Sequence, residues 1–317
     1  MLRSMYSGIS GLKNFQTKLD VIGNNIANVN TYGFKKERTI FKDLISQTQA
    51  GASGASQTRG GVNTIQVGLG AQLAAIDTIH GSGSLQSTGR GLDLAISGEG
   101  FFMVSDSEEY ETGNAPDPGV ATGNGNILYT RAGNFYMDAN GYLVNADGKY
   151  LVGIANEDVL NYGADSTESA YEDDKVDIDA GENLFADGLY DGVAPIQIPT
   201  TAKSMSIGQD GTVSFVDAAG HLQYAGTILL AKFPNASGLQ KEGSNYFQQT
   251  ANSGEVYVQL GTQDGMGTVQ SGFLEMSNVD LSEEFTEMIV AQRGFQANTR
   301  IITTSDEILQ ELVNLKR

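Results

Sequence analysis

The sequence predicts an α+β, multidomain protein: terminal α-helices forming a coiled-coil-like inner domain, and a mainly β body that carries a small acidic insertion. Three observations predict it. Apolar residues recur every seven positions near both ends of the chain. The middle is rich in glycine and short apolar runs, with 40 Gly and 5 Pro in 317 residues. One stretch, 154 to 194, holds twelve Asp/Glu against the single basic residue Lys175.

Within the first 35 residues, Met5, Leu12, Leu19 and Ile26 repeat every seven, with Leu2 and Ile9 on the interleaved positions. No proline interrupts Met1 to Ala27, and a helix of that length spans about 40 Å. It should stop where Asn28, Asn30, Thr31 and Gly33 offer the backbone turns and caps in place of helix. Asn24, Asn25, Asn28 and Asn30 crowd this boundary beside Ile22, Ile26 and Val29. Buried amides need partners, so the run reads either as a packed, hydrogen-bonded interface or as a helix end with solvated asparagines.

The segment 46–63 is polar, small and glycine-rich, the composition of a linker arm with little regular structure of its own. Strand patterns open near Gln66 and continue through FFMV at 101–104. Asp138–Gly141 and Asp147–Gly148 are hairpin-turn chemistry between aromatic strands. The acidic stretch interrupts them, with thin apolar content that suits an outer lobe better than a core. Strands resume at Pro195. The predicted domains are therefore 1–71 with 272–317 (helices and arm), 72–153 with 195–271 (β body), and the 154–194 insertion.

At the far end Leu281, Met288, Phe295, Ile302 and Leu309 again fall at intervals of seven, flanked by Phe285 and Leu312. Ser277, Asn278 and Asp280 suit the entry to a helix, Glu283, Glu284 and Glu287 its positive end, and Lys316 and Arg317 its negative end. Residues 1–42 hold seven Lys/Arg against two Asp/Glu, and 279–317 four against seven, so the two ends should attract. A narrow apolar stripe on a lone helix needs a partner. An intramolecular hairpin and side-by-side packing of many subunits both satisfy it.

Candidate chemistry is sparse. Without cysteine there is no disulfide, thiolate nucleophile or Cys-based metal site. His80 and His221 lie in separate turns without metal spacing. GSGSLQSTGRG at 81–91 lacks the Gly-Lys-Ser/Thr ending of a phosphate loop, and Ser97 in ISGEG misses the nucleophile-elbow spacing. Asp138, Asn140 and Gly141 match a fragment of a calcium loop, but the closing Glu is missing. The net charge of −19 argues against nucleic acid. No apolar run is long enough to insert in a membrane, and no signal-peptide core is expected. No catalytic, cofactor or metal residues are assigned.

The segment Asn24, Asn25, Ala27, Asn28, Val29, Asn30, Thr31, Tyr32, Gly33, Phe34 and Lys35 resembles the N-terminal signature of the rod and hook family, the axial proteins of the bacterial flagellum. Four further stretches resemble the same family: SGLKNFQTKLDVIGNNIAN, LQSTGRGLDLAISGEGFFMV, YTRAGNFYMDANGYLV, and SGFLEMSNVDLSEEFTEMIVAQRGFQANTR onward. Gln292–Asn298 is more similar to hook proteins than to the QRAYE-like text of distal-rod proteins. The resemblance thus implies a hook subunit, with a distal-rod subunit as the alternative because the insertion is small. It implies a helical homopolymer forming a curved, hollow tube, a universal joint that transmits torque. It also implies contacts with flagellar rod, hook-cap and hook-filament junction proteins, and export by the flagellar type III apparatus without a cleaved signal peptide. Leu2, Met5, Ile9, Leu12, Leu19 and Ile26 would form one assembly seam, and Leu281, Phe285, Met288, Phe295, Ile302, Leu309 and Leu312 the other. A secreted β-rich carbohydrate-binding module or enzyme is the rival from another class.

Overall fold

The computed structural model describes residues 2–54, 59–107, 126–156 and 193–315. They divide into two units. The first gathers residues 1–29, 35–79 and 279–317, the second 30–34 and 80–278.

In the first unit, helix α1 covers Leu2–Ala27 and helix α2 covers Leu281–Asn314. α1 ends where expected: the Asn28 side-chain amide folds back onto the Asn24 carbonyl at 2.9 Å, satisfying a group the helix leaves open. At the start of α2, Asp280 accepts from the Ser282 and Glu283 amides at 2.8 and 3.4 Å. Such a cap contributes about 1 kcal/mol. The residues expected to suit its far end, Lys316 and Arg317, lie outside the described set.

Between the helices runs a β-ribbon. Strand β1 (Glu37–Asp43) is followed by β2 (Ser46–Ala50), β3 (Ile65–Gly68) and β4 (Ala71–Thr78). β1 pairs antiparallel with β4, from Glu37 opposite Thr78 to Asp43 opposite Ala71, with a bulge between Ile40 and Phe41. β2 pairs with β3, and an isolated bridge joins Ser53 to Val62. The expectation of little regular structure over 46–63 is corrected for Ser46–Ala50, which forms a strand. Backbone pairing carries the polar residues of β2 into a ladder, and Gln66 Nε2 adds a side-chain bond to Thr48 at 3.1 Å. The boundary expected after residue 71 falls inside this ribbon, because all of β4 is the partner of β1.

The second unit is built on a twelve-stranded sheet. Its longest strand, Leu222–Lys232, pairs with Thr212–Val216, Tyr150–Ala155, Phe101–Ser105 and Tyr257–Leu260. Phe101–Ser105 explains why this region reads as a continuous apolar run. Phe102 and Val104 enter one core, with Phe135, Leu151, Ile196, Phe215, Ile228 and Leu230. Phe101 and Met103 enter another, with Tyr129, Val152, Leu229, Phe233 and Phe247. Successive side chains point to opposite faces, so a strand buried on both shows no polar alternation. The Asp138–Gly141 turn forms as read, with the Gly141 amide donating to the Asp138 carbonyl at 3.0 Å and Gly141 at φ +93°. Of the acidic insertion, residues 157–192 lie outside the described set.

Candidate functional site

α1 and α2 pack as an antiparallel hairpin through small residues. A β-carbon placed on Gly11 would stand 2.9 Å from the Asn298 amide, and one on Gly294 would stand 2.5 Å from the Phe15 ring. Gly8 faces the Ile302 side chain and the Asn298 carbonyl at 3.5 and 3.7 Å by the same measure. Ala291 and Ser305 are buried on the same face of α2. Lys18 pairs with Glu287 and Lys36 with Glu283, so the expected attraction between the two ends is realised as ion pairs.

One asparagine ties three elements together at the base of the hairpin. Asn25 Nδ2 donates to the Glu37 carbonyl at 2.8 Å, and Asn25 Oδ1 accepts from the Glu37 amide at 3.0 Å. The same Nδ2 donates to Glu284 Oε2 at 3.2 Å, joining α1, the first residue of β1, and α2. Burial pushes the Glu284 carboxyl above the ordinary glutamate range, reinforced by Glu283 and Glu287 and opposed by Asn25 and Lys36. Glu284 lies in the first turn of α2, as expected for the positive end of the helix dipole, and its buried carboxyl faces α1. Asn25→Ala is expected to destabilise the hairpin by roughly 2–4 kcal/mol, since it strips partners from two backbone groups and a carboxylate. Loss of amide-exchange protection at Ile26 and Glu37 is the check.

Past α1 the signature continues in the second unit. Gly33, at φ +70°, donates its amide to the Glu275 carbonyl at 2.8 Å. A β-carbon there would stand 2.5 Å from the Ala132 nitrogen, so only glycine fits. Asn245 Nδ2 donates to the Tyr32 carbonyl at 2.9 Å, and Lys241 Nζ lies 5.0 Å from the centre of the buried Phe34 ring. The Glu275 side chain accepts from the Gly83 amide at 2.8 Å and from Arg131 Nη1 at 3.3 Å. Both members of this ion pair are buried, at 3% and 0% side-chain exposure. Burial works against the Arg131 charge, and Glu275 sustains it.

The predicted seams are divided by the fold. Met5, Leu12, Leu19, Ile26, Met288, Phe295, Ile302 and Leu309 are half-buried, while Ile9, Leu281, Phe285 and Leu312 are exposed. The Leu2 side chain lies outside the described set. Of the signature asparagines, Asn25 is buried, Asn28 half-buried, and Asn24 and Asn30 exposed; Ala27 is exposed, Thr31 half-buried, and Gly33, Phe34 and Lys35 buried. Sequence reasoning missed the line Glu284, Ala291, Asn298 and Ser305, which faces α1. Its spacing is also seven, displaced by four from the apolar repeat, but a search for apolar periodicity passes over it. Further exposed apolar side chains are Tyr6, Ile289, Val290, Ile301 and Ile308 on the helices, and Ile45, Ile65 and Ile76 on the ribbon.

The histidines are structural neighbours of rings and turns. His80 stands edge-on to Phe101 and Phe247, and His221 Nδ1 lies 3.7 Å from Asp217. Among the described residues no cluster of three or more His, Cys, Asp or Glu is placed to hold a metal ion. No described helix is long and apolar enough to cross a membrane.

Comparison with known proteins bears on three parts of the chain and on its whole length. Residues 5–35 match the family described as flagella basal body rod protein, 119–215 the flagellar hook protein FlgE/F/G D1 domain, and 270–315 the C-terminal family of flagellar basal body rod FlgEFG proteins. The flagellar basal-body rod protein FlgG of Bacillus subtilis is 52% identical over 318 residues, covering 100% of both chains. The flagellar hook protein FlgE of Borreliella burgdorferi is 33% identical over 458 aligned positions, again covering all of both. That organism's basal-body rod protein FlgG is 34% identical over 321 residues, likewise covering 100% of each chain.

Proposed function

The chain belongs to the flagellar basal-body rod and hook protein family, and from that premise we propose that it is a distal-rod subunit. The matched families and relatives are structural components of the flagellum, and membership implies a homopolymer within it. The observation that carries the rod reading is the 52% identity to a rod protein over an alignment of almost equal length. The hook relative needs 458 aligned positions to accommodate 317 residues. The hook reading drawn from Gln292–Asn298 gives way on this ground. It stays as the second reading because a named hook protein also matches end to end.

In this role the hairpin's exposed and half-buried apolar positions meet neighbouring copies, and the β body packs along the tube. The subunit acts as a structural element and not as an enzyme. Its partners are itself, the adjoining axial proteins and the flagellar type III export apparatus, which delivers it without a cleaved signal peptide. Exposed side chains such as Phe285, Ile289 and Ile308 support this reading, because neighbouring copies would cover apolar surface that the single chain leaves in water.

Electron microscopy of tubes assembled from the purified chain, with immunogold labelling of isolated basal bodies, tests the proposal. Straight tubes and label below the hook are the expected result. Curved tubes with label on the hook would transfer the assignment to the second reading, and failure to find the chain in basal bodies or hooks would overturn both.

A further inference from the structure

The base of the hairpin holds a carboxylate in an unusual position. Glu284 is 6% exposed, and the donor on its carboxylate is a neutral amide, Asn25 Nδ2, at 3.2 Å. Lys36 pairs with Glu283 at 2.8 Å while its charge also acts on Glu284, and Lys18 pairs with Glu287. Arg38 of β1 pairs with Asp77 of β4 at 3.6 Å. Glu37 lends the site its backbone groups, both bound by Asn25. From its own helix Glu284 faces Glu283 and Glu287, with the Asp280 cap one turn before it. Among the described residues no cation lies in ion-pair range of Glu284.

We propose that Glu284 makes the α1–α2 hairpin a proton-linked clasp, whose buried carboxyl holds a proton more readily when the helices are closed than when they part. Burial and the two neighbouring carboxylates favour the acid form more than in water, against the opposing pull of Asn25 and of the Lys36 charge. In the protonated form its hydroxyl gains a proton to donate while its carbonyl oxygen still accepts from Asn25. When α2 leaves α1, water solvates the group and the proton is released.

The sign of the linkage follows. Burial raises the Glu284 pKa above that of an exposed glutamate. The closed hairpin therefore binds a proton that the open one gives up, and stability falls as pH climbs from the ordinary glutamate range through the raised value. Lower pH favours the closed clasp and higher pH loosens it. The inference holds for either axial assignment.

The experiment is hydrogen exchange on the dilute full-length chain, read as protection factors for amides near Asn25 and Glu284 at pH about 5.5 and pH about 8. Wild-type protection should fall across this interval, by no more than the roughly tenfold per pH unit that one proton permits. Glu284→Gln, which keeps the acceptor for Asn25 without a charge, should be flat across it and at least as protected as wild type at the upper pH. A Gln variant that retains the wild-type slope overturns the proposal, as does a wild type with no slope. A carbon-13 titration of the side-chain carboxyl supplies an independent reading. A Glu284 midpoint above those of the exposed glutamates is expected, and a midpoint among or below them refutes the clasp even if the variant does not fold.

Discussion

Glu275→Ala is expected to lower the unfolding midpoint of the β body by roughly 6–20 °C. Glu275 is fully buried and compensates a guanidinium that is itself 3% exposed. Removing one member of a buried pair costs about 3–5 kcal/mol, because the other charge is left without a counterion in a poorly solvating site. For a unit of this size each kcal/mol moves the midpoint by about 2–4 °C. The Gly83 amide also loses its acceptor, while Arg131 keeps the carbonyl of Gly98 at 2.9 Å, a long contact to Ile96 at 3.5 Å, the Phe101 ring at 5.3 Å and the more distant charge of Glu99. Calorimetry on the full chain is the measurement. The double variant Arg131→Met with Glu275→Leu should recover much of the loss, since replacing both charges by apolar groups removes the desolvation problem. Equal damage from the single and double variants would mean that packing, rather than charge, is what the pair provides.

Phe285→Asp is expected to abolish tube formation while changing the stability of the isolated chain by no more than about 0.5 kcal/mol. Phe285 is 49% exposed on α2, so about half of its surface is open to solvent in the single chain. An aspartate there must be desolvated when a neighbouring copy covers the helix, and an unpaired charge at a buried contact is heavily penalised. Sedimentation and electron microscopy would report assembly, and thermal unfolding would report the monomer. Normal tubes from this variant would remove Phe285 from the assembly surface.

The contrast between these two residues shows what was legible beforehand. Phe285 announces itself by its place beside a repeat of seven, and Asp280 by its cap chemistry. FFMV marked a buried strand for the same reason: local pattern reports which face of an element is apolar. Glu275 and Arg131 are 144 positions apart, and Asn25 and Glu284 are 259 apart. No local periodicity encodes which polar side chain will meet which, so these pairings were invisible. The ribbon failed in another way. β2 is exposed at every position, so its ladder is held by backbone bonds that leave no apolar imprint. Gly11 and Gly294 look like interruptions of a helix in one dimension and become points of closest helix approach in three.

A hairpin joined by glycine, alanine and serine has a thermodynamic consequence. Apolar side chains such as Phe285, Ile289 and Ile308 stay exposed on the single hairpin, so the helices gain only part of the stability that burying their apolar faces could give. Anything that binds only the closed form stabilises it by mass action, and here that ligand is another copy of the chain. The helical content of this protein should therefore depend on its own concentration, making the subunit's secondary structure a readout of how many neighbours it has.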